Sequence, residues 1–266
     1  MINQFPQGRK IKGINKIGLL TLIRREVLRF LNVYTQTIIA PMVTTLMFYT
    51  VFALAFGGIE REINGASFLA FLAPGLIMMT MVQNAFANTS SSLVISKVQG
   101  NIVDVLMPPL SAMEIYTGYV TGAVIRGLTV GICTTLALSF FAPIQIYSLP
   151  VICAFAFLGT LMLGSLGIAA GIWSDRFDHI AAVTNFVVTP MTFLSGTFYN
   201  MDVLPEIWQN IARLNPFFYM IDGFRYGFIG QADGNIVIGL VFLSLCNIGL
   251  MALSYRMIKT GYKIKS

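Results

Sequence analysis

Residue types that do covalent or acid–base chemistry are few in this chain, and none is spaced for it. The single histidine, His179, lies in SDRFDHI with no second histidine to complete a zinc site. Cys133, Cys153 and Cys246 fall inside apolar runs, with neither metal-site nor disulfide spacing. Ser195 is followed by Gly196, but Phe193 stands where a nucleophile elbow requires glycine. A phosphate-binding Walker A loop ends in Gly-Lys-Ser/Thr, and the chain has no Gly-Lys pair. No catalytic residue, metal or bound cofactor is expected, which disfavours an intramembrane enzyme. If ATP drives this protein, another chain hydrolyses it.

The polar residues that remain are suited to lining a path. Gln83, Asn84, Asn88, Thr89, Ser90, Ser91 and Ser92 end a long apolar run and are too polar to face lipid. They either bond neighbouring helices, at roughly 0.6 kcal/mol per contact, or line a wet passage. Gln83, Asn84 and Asn88 are the candidate lining residues, and their neutrality disfavours a strongly charged solute. Arg126 sits in the third apolar run; it either snorkels, pairing with Glu114 or Asp104, or touches cargo. The ionisable relay of a proton- or sodium-coupled transporter is missing.

What positions these residues is the bilayer. Of 266 residues, 56% are hydrophobic and 11% charged, with mean hydropathy +0.76. A soluble domain carries about 25% charge. Six apolar runs near the ~20 residues of a membrane helix read as spans at about 34–56, 68–94, 114–141, 149–172, 179–200 and 235–257. Seven Lys/Arg precede the first span (Arg9, Lys10, Lys12, Lys16, Arg24, Arg25, Arg29) and four follow the last (Arg256, Lys259, Lys263, Lys265). With Lys97, Arg126 and Arg176 they place both termini in the cytoplasm. Outside lie Arg61, Arg213 and Arg225 against six acids, Glu60 and Glu62 among them. The net charge of +6 is thus a topology signal and gives no reason to expect nucleic acid. Arg24-Arg25 lacks the flanks of a twin-arginine signal, and the first apolar run is too long for a signal peptide. The chain divides into an amphipathic N-terminal helix within 1–33 (Ile17, Leu20, Ile23, Val27 and Leu31 at helical spacing), a transmembrane domain over 34–257 and a basic tail over 258–266.

Two segments break the apolar pattern. Lys97–Glu114 reads as a short amphipathic helix, Val98, Ile102, Val105 and Leu106 against Gln99, Asn101 and Asp104, stopped by Pro108-Pro109. Val187–Gly230 begins as a span, then mixes Asp202, Glu206, Arg213, Asp222 and Arg225 with Trp208 and many other aromatics, a composition suited to the membrane–water boundary. Gly118/Gly122, Gly127/Gly131, Gly167/Gly171 and Gly223/Gly227 offer close helix approach.

Together these features resemble the ABC-2 type transporter permeases, in their small bacterial inner-membrane branch. The likeness is carried by FLAPGLIMMTMVQNAFANTSSS (71–92), GNIVDVLMPPLS (100–111) and the tail at 193–228. It implies an all-α membrane fold of six spans, with an N-terminal interfacial helix, a cytoplasmic coupling helix at 97–109 and external re-entrant helices at 203–230. Gln99, Asp104, Leu106, Pro108 and Pro109 would meet a separate P-loop ABC ATPase that uses ATP with Mg. Asp222 and Arg225, three apart, would pair in an outer gate or stand solvated. The resemblance further implies a permease homodimer in the lipid bilayer of the bacterial inner membrane, exporting a lipid, glycan or drug-like substrate. A stand-alone secondary transporter or channel is the alternative; the inverted-repeat symmetry it predicts is not evident in the sequence.

Overall fold

In chain order the computed structural model contains α1 (Lys16–Leu31), a π turn (Thr35–Ile39) running into α2 (Ala40–Phe56), a short antiparallel pair β1 (Glu62–Ile63) and β2 (Ala66–Ser67), α3 (Phe68–Val98), α4 (Val103–Leu106), α5 (Ala112–Leu138) and α6 (Leu149–Trp173). There follow α7 (Phe177–Val183), a second π turn (Thr184–Val188), α8 (Thr189–Phe193), a 3-10 turn (Met201–Val203), α9 (Glu206–Arg213), α10 (Pro216–Ile229) and α11 (Ile236–Thr260). The structure describes residues 13–56, 62–63 and 66–264. Arg9, Lys10, Lys12, Glu60, Arg61 and Lys265, counted above in the charge asymmetry, lie outside them.

Polar caps mark where the apolar runs stop. Ser67 accepts from the Ala70 amide at the start of α3, Ser111 and Glu114 form a reciprocal capping box on α5, and Asn235 accepts from Val237 and Ile238 on α11. Among the described residues five helices have the length and apolar composition to cross a membrane: Thr35–Phe56, α3, α5, α6 and α11. The span expected at 179–200 departs from its assignment. Its helical rod covers 177–193, with the π turn in the middle, and measures about 25 Å at 1.5 Å per residue. The helix stops just past Thr192, whose carbonyl accepts from the Ser195 amide at 3.4 Å and from the Ser195 and Thr197 hydroxyls, and Gly196 turns the chain at φ 72°.

Helix α3 is the centre of the bundle, packed by α5, α6, α10 and α2, with Leu72, Met78, Ala85 and Val94 wholly buried. Close approach comes from the spaced glycines. Gly167 and Gly171 of α6 lie against Phe86, Thr89, Ser90 and Leu93 of α3, and Gly118 and Gly122 of α5 lie under Leu22 and Glu26 of α1. By contrast α2 and α11 keep most of their surface exposed, as lipid-facing helices do. The stripe read on the N-terminal helix also faces outward at Ile17, Leu20 and Leu31; the buried face is Leu22, Glu26 and Phe30.

Candidate functional site

Three places bring the expected site residues together. The first is a cleft of about 640 Å³ between α1, the end of α3 and α4, lined by Arg25, Arg29, Ser96, Gln99, Asp104 and Pro108. The helix expected over 97–109 is divided here. Lys97 and Val98 belong to α3, Gly100 turns the chain at φ 74°, and α4 keeps four residues before Pro108-Pro109. Val105 is the buried anchor and Leu106 is half-buried, while Asp104, Pro108, Pro109 and Met107 (77% exposed) project. The base is rigid: Glu114 accepts from the Ser111 and Asn15 amides, and the Asn15 side chain donates to the Pro109 carbonyl at 3.4 Å.

Behind the cleft, Lys97 caps the end of α6, donating to the carbonyls of Ile172 (2.8 Å) and Ser174 (2.7 Å). Asp175 bridges Lys97 at 3.3 Å and Lys263 at 2.9 Å. The hydrogen bond from Lys263, then those from Lys97, hold the Asp175 carboxyl below the ordinary carboxylate range. His179 is structural: its Nδ1 accepts from the Asp175 amide at 3.3 Å and its ring lies 5.5 Å from that of Trp173. Among the described residues no cluster of His, Cys, Asp or Glu could hold a metal.

The second place is a groove on α3. Gln83 and Asn84 line two cavities, about 360 and 310 Å³. One is walled by Gln36, Thr44 and Thr45 beside α2, the other by Ala87, Ser90 and Ser91 with Thr184 and Val188 of the second π turn. Phe193 and Phe198 close one end, and neither lining holds a charged side chain among the described residues. Asn88 is not with them. It is fully buried, and both its carbonyls accept from Arg29, at 2.6 and 3.0 Å. Arg126 meets neither Glu114 nor Asp104: twelve residues along α5 set it about 18 Å from Glu114. It donates instead to Asn84 Oδ1 at 2.9 Å.

At the opposite end of α3 lies the third place. Asp222 and Arg225, expected to pair or to stand solvated, do neither. Both are buried, and no ion pair joins them among the described residues. The Asp222 carboxylate accepts from the amides of Asp233 (2.8 Å) and Gly234 (2.9 Å). Arg225 donates to the Gly196 carbonyl at 2.6 Å, lies 3.6 Å over the Phe71 ring and approaches Asp233 at 4.0 Å. It thereby ties α10 to α3 and to the turn after α8. Amphipathic α9 leaves Ile207, Trp208 and Ile211 exposed beside it.

Sequence reasoning missed Glu26. The signal was available: an acid four residues from both Leu22 and Phe30 shares their inward face.

A family model described as ABC-2 type transporter matches residues 18–229. The inner membrane transport permease YadH of Escherichia coli (strain K12) is 35% identical over 250 residues, covering 94% of this chain and 98% of that protein. Nodulation protein J of Rhizobium leguminosarum bv. viciae is 26% identical over 232 residues (85% and 88% of the two chains), and that of Rhizobium meliloti (strain 1021) is 24% identical over 229. With a permease relative aligned nearly end to end and the family model matching residues 18–229, this chain belongs to the ABC-2 type transporter family.

Proposed function

We propose that the chain is the permease subunit of an ATP-driven exporter, moving a lipid, glycan or drug-like substrate with work supplied by a separate P-loop ATPase. Two permeases and two ATPases make one transporter in the inner membrane, with both permease termini in the cytoplasm. The observation that carries the reading is that one helix reaches all three places. α3 runs 31 residues, about 46 Å, from the cleft past Gln83 and Asn84 to Phe71 beneath Arg225.

In this mechanism Gln99, Asp104, Leu106, Pro108 and Pro109 seat in the ATPase, and α1 adds to the contact. ATP binding, with Mg, closes the ATPases and displaces the cleft. From the cleft up to Pro74, the proline inside α3, the helix has an uninterrupted ladder and cannot absorb that displacement locally, so this length of α3 tilts as a body. The neutral amides and hydroxyls of the groove suit an uncharged or amphipathic cargo, and the Arg225 tie closes the outer end.

The test is ATPase stimulation of the reconstituted complex by a panel of lipids, glycans and drugs. Replacing Asp104 and Leu106 by alanine should leave the permease in the membrane and the basal ATPase intact while abolishing stimulation. Unchanged stimulation refutes the coupling role, and cargo movement in vesicles lacking any ATPase would favour a stand-alone transporter.

A further inference from the structure

Glu26 is an unusual residue to place on an interfacial helix. Its side chain is 0% exposed, between Leu22 and Phe30, which already supply apolar contact on the same face. A buried carboxylate is unfavourable unless paired and hydrogen-bonded, and here one direct bond comes from α3 while two arginines of α1 itself hold the carboxylate and reach on to α3. Ser92 donates to it at 2.9 Å, Arg29 lies at 3.3 Å and Arg25 at 3.7 Å. Arg29 continues onto the Asn88 backbone and side-chain carbonyls (2.6 and 3.0 Å), and Arg25 reaches Ser96 at 3.3 Å. From the other side α5 presses on it: a Cβ added at Gly122 would stand 2.6 Å from the Glu26 Cβ.

We infer that Glu26 is a positioning residue that locks α1 to α3 in axial register, so that displacement of α1 in the cytoplasmic cleft moves the groove. The inference rests on the permease reading above. Apolar contacts of the Leu22 and Phe30 kind resist separation but permit sliding, because they are non-directional. Directional bonds from one α1 turn to successive α3 turns resist sliding as well. One turn beyond Asn88 along α3, Asn84 receives Arg126 and lines the groove, so the helix backbone carries the register set at Asn88 to the groove.

The test uses the permease–ATPase complex in proteoliposomes, with Cys133, Cys153 and Cys246 replaced by alanine and a reporter cysteine at Gln83. The readout is the ratio of fluorescein-maleimide labelling rates with and without ATP plus vanadate, recorded beside thermal stability and ATPase rate. Glu26→Gln leaves two arginines without their acid and is expected to lower stability as well as the ratio, by roughly 2- to 30-fold. Glu26→Gln/Arg29→Gln removes the uncompensated charge. It should recover part of the lost stability, the Asn88 carbonyls still lacking their donor, while the ratio stays low. A double variant with both stability and ratio restored would reduce Glu26 to a structural anchor and overturn the inference. A parent complex with active ATPase and no ATP-dependent change at residue 83 would overturn the permease reading itself.

Discussion

Arg225→Met should loosen the outer end of the molecule without unfolding the rest. The guanidinium is 2% exposed and makes three contacts that methionine cannot replace: the 2.6 Å bond to Gly196, the 3.6 Å stacking on Phe71 and the approach to Asp233. A charged hydrogen bond contributes about 1.5–3 kcal/mol and a desolvated cation–π contact about 2 kcal/mol. These are not additive; loss of one partner of a buried ionic group costs roughly 3–5 kcal/mol. At 1.4 kcal/mol per tenfold, that favours local opening by about two to three and a half orders of magnitude. The effect is confined because Asp222 is held independently by the 233–234 amides, and Asn215 by the Met191 carbonyl at 2.7 Å. Hydrogen exchange in nanodiscs reads this directly. Amides at 194–201 and in the second half of α10 should lose protection by that factor while α6 is unchanged, and Arg225→Lys, which keeps the charge but not the fork, should lose less. Protection within fivefold of the parent, or equal loss throughout the bundle, would refute the tie.

Two further outcomes follow from the packing and the charges. Gly167→Ala places a Cβ 2.2 Å from Thr89 Oγ1 and 2.6 Å from the Phe86 backbone carbonyl, so it should destabilise by about 1–3 kcal/mol. Gly249→Ala meets nothing within 4 Å and should be neutral or gain up to about 1 kcal/mol of helix propensity; equal melting temperatures for the two variants would contradict the close α3–α6 approach. The Asp175 carboxylate should set the acid limit of its bridge. Its carboxyl is depressed, so its contribution is present above the ordinary aspartate range and is lost as pH falls through the lowered value. A nitroxide at Tyr262→Cys should stay immobilised down to about pH 4 and sharpen only below it, whereas Asp175→Asn should give the sharp spectrum at every pH; sharpening already near neutrality in the parent would sink the assignment.

Five of the six spans were legible because hydrocarbon forces apolar runs of a set length and admits few charges; the run at 179–200 kept the composition of a span but not its helix length. The close glycines were legible for a similar reason, since small residues at four-residue spacing have one packing use. Side-chain destinations were not. Asp222 and Arg225 at i and i+3 invite a pair, yet the Asp222 carboxylate is taken by amides eleven and twelve residues away. Asn84 and Asn88 look equivalent in the sequence; one faces the groove and the other is sealed beneath α1 by Arg29, a choice made by tertiary contact. The coupling segment was read as one helix because its apolar residues keep helical spacing, but Gly100 broke it where α3 ended.

The two π turns, at Thr35–Ile39 and Thr184–Val188, sit on opposite sides of the α3 groove. A π turn holds one residue beyond the α repeat, about 100° of phase. In the wall over 177–193 the halves on either side of the turn, α7 and α8, are therefore out of step, and any single apolar stripe drawn along them is wrong past the turn. Relaxing such a turn to α geometry twists one half of a wall about its own axis against the other. The wall over 177–193 thus holds a point of screw adjustment, separate from tilting, that α3, with no π turn, lacks.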